Sequence, residues 1–190
     1  TDFLDTLSER EFTAGLGELI KYAFIGGREM FDFVCEHHRA LRGRAQEELI
    51  GAIERSVRIK ADVVSADERE AGSRALLNFG HTFAHALETH FDYHGILHGE
   101  AVIWGMRCAV ELGRRLGTIT AGQHSLYETI CRTFPGISLP GRPDPHQLYE
   151  HMFSDKKVRD GSIRFVVPTT CGFSQVVSHA GRSDVIDTMN

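Results

Sequence analysis

Between Ala45 and Asp67, Leu49, Ile53, Val57, Ala61 and Val64 return at intervals of three and four. That spacing draws one apolar stripe down an α-helix and is incompatible with the period of two of a half-buried strand. The same texture runs through most of the chain, cut by Gly and Pro. Ser8 and Glu11 have the spacing of a capping box, which predicts a helix from there to Ile25, stopped by Gly26-Gly27. Further helices are expected over Arg28–Leu41, Ala45–Asp67, Arg74–Phe91 and His98–Leu116. Thr120 with Gln123 caps a sixth that ends near Phe134. Asp144, Pro145 and Gln147 open a seventh that Asp155-Lys156-Lys157 closes. After Gly161 the pattern changes. Ile163–Pro168 and Phe173–Val177 read as two short strands around a Thr-Thr-Cys-Gly turn, and a last short helix follows Ser183. The expected fold is mainly α, a bundle-like helical domain with a small C-terminal β-hairpin.

The 190 residues amount to one ordinary domain, long enough to bury a sizeable core. The net charge of −5 disfavours a general nucleic-acid binder, and no apolar run reaches the ~18 residues of a membrane span. Cys35, Cys108, Cys131 and Cys171 are far apart and form no CxxC motif, so reduced thiols in a cytoplasmic protein are expected. The unusual element of the composition is its 11 histidines.

Helical spacing sets Arg74, Asn78, His81 and His85 in one narrow sector of the fourth helix, opposite Leu76, Phe79, Phe83 and Leu87, with Glu88 at the margin. An ordinary wet face would be built from Lys and Glu; Arg, Asn and two His suit recognition better. His81 and His85, four residues apart, are the easy pair for sharing a metal or a proton path. His98 opens the fifth helix on its apolar side. The positive helix end and burial both favour its neutral, metal-binding form. Lys60 lies beside the apolar stripe of the third helix and either snorkels outward or points at an anion. Glu18 and Lys21 alone are a common helix ion pair. These residues point to a histidine-centred metal site ringed by cations. They leave its third ligand open.

Segment 74–88, Arg-Ala-Leu-Leu-Asn-Phe-Gly-His-Thr-Phe-Ala-His-Ala-Leu-Glu, resembles the signature of 3-dehydroquinate synthases. Gly-Glu-Leu-Ile-Lys-Tyr (17–22), Lys-Ala-Asp-Val-Val (60–64), Asp-Glu-Arg-Glu-Ala-Gly (67–72), Leu-His-Gly-Glu-Ala-Val (97–102) and Asp-Lys-Lys (155–157) resemble that family in the same order. Two departures, Phe79 for the family's frequent Leu and Ala84 for its frequent Gly, fall where no chemistry is expected.

The resemblance implies a two-domain enzyme with an N-terminal, Rossmann-like NAD-binding half and a C-terminal helical half that carries the metal. No Gly-rich phosphate turn after a strand occurs in residues 1–190, so the chain is expected to be the second half, inactive by itself. The family's zinc (or cobalt) ligands fall on Glu18, His81 and His98. The resemblance makes His85 and Lys21 catalytic, and places Lys60, Arg74, Asn78 and Lys156 on the carboxylate and phosphate ends of the substrate. The implied substrate is 3-deoxy-D-arabino-heptulosonate 7-phosphate, which is converted to 3-dehydroquinate and phosphate. A transient oxidation by NAD+ acidifies the C–H next to the leaving phosphate. The resemblance also implies a homodimer. A related sugar-phosphate cyclase, a metal-dependent polyol dehydrogenase and a non-catalytic metal-binding module are the competing readings.

Overall fold

The computed structural model describes residues 2–68, 72–134, 139–154 and 162–190. A short 3-10 turn, Asp2–Thr6, precedes α1 (Glu9–Ile25), α2 (Arg28–Arg42) and α3 (Gln46–Ala66). A second 3-10 turn, Ser73–Asn78, leads into α4 (His81–His90). Then come α5 (His98–Arg115), α6 (Ala121–Thr133), α7 (Pro145–Ser154), the strands β1 (Phe165–Pro168) and β2 (Ser174–Val177), and α8 (Arg182–Thr188). No described helix is long and apolar enough to cross a membrane. The four cysteines are free.

Local chemistry sets most of these boundaries. Ser8 Oγ accepts from the Glu11 N–H at 3.3 Å, while Glu11 Oε2 accepts from the Ser8 N–H at 3.0 Å, so two of the donors that every helix start leaves unpaired are satisfied. Thr120 and Gln123 do the same for α6. Asp144 Oδ1 accepts from the His146 N–H at the start of α7.

The expected helix 74–91 is instead two elements. Residues Ser73–Asn78 wind as 3-10, Phe79 turns extended, and Gly80 takes φ +78°, a left-handed conformation that only glycine adopts cheaply. A Cβ at Gly80 would lie 2.8 Å from Met106, so the packing of α5 fixes this break. Arg74 and Asn78 therefore do not share a helical face with His81 and His85.

Helix α5 is the axle of the fold. It packs against α1, α4, α6, α8 and β1, and Ala101, Val102, Met106, Val110 and Leu112 along it are inaccessible to solvent. Two of its crossings are unusually close. A Cβ on Gly99 would lie 1.8 Å from the Ala14 carbonyl of α1, and one on Gly105 would lie 2.1 Å from the Gly80 carbonyl. Phe79 and Ala84 are both buried in the core, with Phe79 stacked on Phe24 at 4.6 Å. The antiparallel hairpin pairs Phe165 with Val177 and Pro168 with Ser174. Its tip is seated on the α1–α2 junction, where the Gly27 N–H donates to the Gly172 carbonyl and Ser174 Oγ donates to the Phe24 carbonyl, each at 2.9 Å.

Candidate metal centre

The two close crossings bring three side chains together. Glu18 comes from the middle of α1, while His81 and His98 are the first residues of α4 and α5. One ligand atom from each lies within 4.8 Å of the other two. Glu18 Oε1 is 3.3 Å from Nε2 of His81 and 3.3 Å from Nε2 of His98. Two ligands each ~2.1 Å from a tetrahedral zinc would stand about 3.4 Å apart, which matches the two separations from Glu18 Oε1. Glu18 Oε1 is moreover buried and lacks a well-formed hydrogen bond, as an atom built to ligate a cation would be.

The far side of each imidazole is braced. His81 Nδ1 is 3.0 Å from the Phe79 carbonyl, which can only accept, so Nδ1 carries a proton and Nε2 is the nitrogen left to face a ligand point. His98 Nδ1 is 2.9 Å from Oε1 of Glu88, a carboxylate that is only 7% exposed. Both rings thus turn Nε2 toward Glu18, the arrangement that metal-ligating histidines adopt.

The electrostatics are those of a cation site. Burial opposes ionisation of Glu18, but the His81 and His98 rings and the Lys21 ammonium outweigh it and hold the carboxyl well below the usual carboxylate range. Lys21 is buried, and its Nζ donates to Glu18 Oε2 at 2.7 Å. His98 departs from expectation. Its side chain is 48% exposed, and the Glu18 and Glu88 carboxylates on either side of the ring push its pKa up to about 9. The helix end and burial do not keep it neutral, because two carboxylates face it. A cation bound between Glu18 and His98 would have to displace a proton.

His85 lies one turn beyond His81, its ring centre 5.7 Å from that of His81 and 6.2 Å from that of His98. It stands beside the converging ligand atoms and is not one of them. The easy i,i+4 pairing of His81 with His85 is therefore not the one the fold makes. Lys60 is exposed on α3 and lines the same groove as Glu18, a space of about 440 Å³ walled by α1, α3 and the first 3-10 turn. The Arg74 guanidinium donates to the Glu68 carbonyl at 2.8 Å, and the Arg74 backbone N–H donates to Asp67 Oδ2 at 3.0 Å. The turn bearing Arg74 and Asn78 packs on α1 and α3. Lys156 lies outside the described residues.

Two supporting features were not singled out from the sequence. Glu88 reads there as the margin of a polar stripe, although its position seven residues after His81 sets it on the same helical face. Arg10 clamps Glu100 with two hydrogen bonds of 2.7 Å, and Glu100 in turn accepts from the Leu97 N–H, which fixes the start of α5 where His98 sits.

Residues 15–158 match the family model described as 3-dehydroquinate synthase C-terminal. The chain is 44% identical over 184 residues to a 3-dehydroquinate synthase of Aliivibrio fischeri, a match that covers 95% of this chain and 50% of that protein. It is 48% identical over 172 residues to the 3-dehydroquinate synthase of Pseudomonas syringae pv. tomato, covering 88% and 46% respectively. The chain thus spans about half the length of the curated relatives it matches. Among solved structures it superposes on a 2-epi-5-epi-valiolone synthase of Streptomyces hygroscopicus with NAD+ and Zn2+ bound. The TM-score is 0.87 at 24% identity, over 99% of this chain and 52% of that one. A 2-deoxy-scyllo-inosose synthase complexed with carbaglucose-6-phosphate, NAD+ and Co2+ gives 0.81 at 19% identity, over 97% and 53%. At these identities the two structures establish the fold.

Proposed function

The chain belongs to the 3-dehydroquinate synthase C-terminal family, and from that premise we propose that it is the metal- and substrate-binding part of a 3-dehydroquinate synthase. The reaction is conversion of 3-deoxy-D-arabino-heptulosonate 7-phosphate to 3-dehydroquinate and phosphate, with NAD+ as a transient hydride acceptor. The observation that carries this reading is the convergence of Glu18, His81 and His98 on one point, with the Lys21 ammonium beside it. A zinc or cobalt ion held by those three would supply Lewis acidity to a substrate hydroxyl oxygen. The rest is the work of the chain's own side chains. Lys21, held by Glu18, presents a fixed positive charge where a hydroxyl would deprotonate. His85, next to the ligands, takes and returns a proton. Lys60, Arg74, Asn78 and Lys156 meet the carboxylate and phosphate ends. Homodimerisation and a cytoplasmic location belong to the same proposal.

The test is metal content together with product identity. Protein purified at its natural length should hold about one zinc per chain and release phosphate from the heptulosonate substrate with formation of dehydroquinate. Glu18→Ala and His98→Ala should each lose the metal and the activity. Full metal retention by both variants would sink the ligand assignment. Formation of a different carbocycle, or oxidation without phosphate release, would identify a related cyclase or a polyol dehydrogenase instead.

A further inference from the structure

Glu88 is a charged residue in a place where charges are expensive. It sits in the last turns of α4 between Leu87 and the α4–α5 packing, and it is 7% exposed. A buried carboxylate persists only where a donor or a cation compensates it. Here the compensation comes from across the helix pair, since His98 Nδ1 lies 2.9 Å from Glu88 Oε1. The two metal histidines are therefore braced differently. The support of His81 is the Phe79 backbone carbonyl, which no point substitution removes. The support of His98 is a side chain on a neighbouring helix. The need for a brace also differs. The His81 side chain is 12% exposed and confined by its surroundings, whereas that of His98 is 48% exposed and has room to rotate.

We infer that Glu88 is a positioning residue for the metal centre: by accepting from His98 Nδ1–H it holds the ring with Nε2 turned to Glu18 and makes that nitrogen a stronger donor. The inference rests on the metal-site reading above. A carboxylate behind a ligating imidazole both fixes its tautomer and raises its basicity, and loss of such a partner usually weakens metal binding by about 10–100-fold.

Two variants separate the two effects. Glu88→Gln keeps an acceptor oxygen of the same reach and removes the charge. Glu88→Ala removes both. Zinc affinity is measured by competition with a chromophoric chelator, and the coordination sphere is followed by the visible absorption of the cobalt-loaded protein. Melting of the metal-free protein is the control for folding. The expected order of affinity is parent, then Glu88→Gln about 10-fold weaker, then Glu88→Ala about 100-fold weaker, with a changed cobalt spectrum in both variants. Equal zinc affinity and an unchanged cobalt spectrum in Glu88→Gln and the parent, with only the metal-free melting point lowered, would overturn the inference and leave Glu88 a structural residue. A parent protein that retains no zinc would overturn the metal-site reading and this inference with it.

Discussion

His81 and His98 each open a helix, and each has its Nδ1 committed to an acceptor, which leaves Nε2 for the point they share with Glu18. His85 follows His81 by one turn and is near enough to act on a bound molecule without sharing the ligand point. Its role therefore separates cleanly from theirs by experiment. His85→Ala is expected to keep the parent's zinc stoichiometry, read by elemental analysis, while phosphate release falls by about 10²–10⁴-fold, the usual contribution of a positioned acid–base group. Loss of zinc from that variant would mean that His85 is a ligand after all. From spacing alone His85 is the more attractive partner for His81, because i,i+4 neighbours meet on any helix. Glu18 is legible only through the family resemblance, since nothing local connects a residue of α1 to histidines on α4 and α5. Glu88 is harder still to read. Its position on the His81 face is visible in the sequence, but a donor on another helix is not.

At the level of the elements, the site exists because α5 is crossed twice at contact distance. Gly99, one residue after His98, lies against the carbonyl of Ala14, four residues before Glu18, so the helix separation at this crossing sets the distance between two of the proposed ligands. Gly99→Ala would place a methyl group 1.8 Å from that carbonyl, and backbone atoms on both sides leave nothing to rotate away. We expect a loss of stability on the order of 3 kcal/mol, at the upper end of overpacking costs, with a drop in zinc affinity as α1 and α5 move apart. The same change at Gly122, an exposed helical glycine on α6 with nothing within 4 Å of its added Cβ, should stabilise by about 0.5–1 kcal/mol. Urea unfolding of the two variants should show the opposite signs. An unaltered midpoint for Gly99→Ala would show that the crossing is looser than described. These crossings explain what the sequence hid. Capped starts such as those of α1, α6 and α7 are legible because Ser8 with Glu11, Thr120 with Gln123 and Asp144 with Pro145 act over three residues. The break before α4 is not, because Gly80 in a helical run looks like an interior glycine until Met106 of α5 closes on it.

On the scale of the whole molecule, the candidate anion-binding residues come from elements that pack around α1. Lys60 belongs to α3, and Arg74 and Asn78 belong to the 3-10 turn against both helices. The groove at Glu18 and Lys60 is otherwise lined by apolar side chains such as Leu4, Leu19, Ile53 and Val57. Nothing in it resembles a nucleotide cradle. Among the described residues the strands form only one antiparallel hairpin, and neither strand runs through a Gly-rich turn into a helix N-terminus, the device that holds a dinucleotide pyrophosphate. Metal retention and turnover should therefore come apart in a polypeptide limited to residues 1–190. The proposed ligands Glu18, His81 and His98, the groups behind the two imidazoles and the α1–α4–α5 crossings all lie within these residues, so it should still bind about one zinc per chain. The hydride acceptor of the proposed reaction needs a pyrophosphate site, and none is formed among the described residues, so no phosphate is expected to be released from the heptulosonate substrate, even with NAD+ and zinc in excess. Phosphate release by that polypeptide alone would show that the cofactor site is contained in these helices, and would overturn the division of labour proposed for the family's two halves.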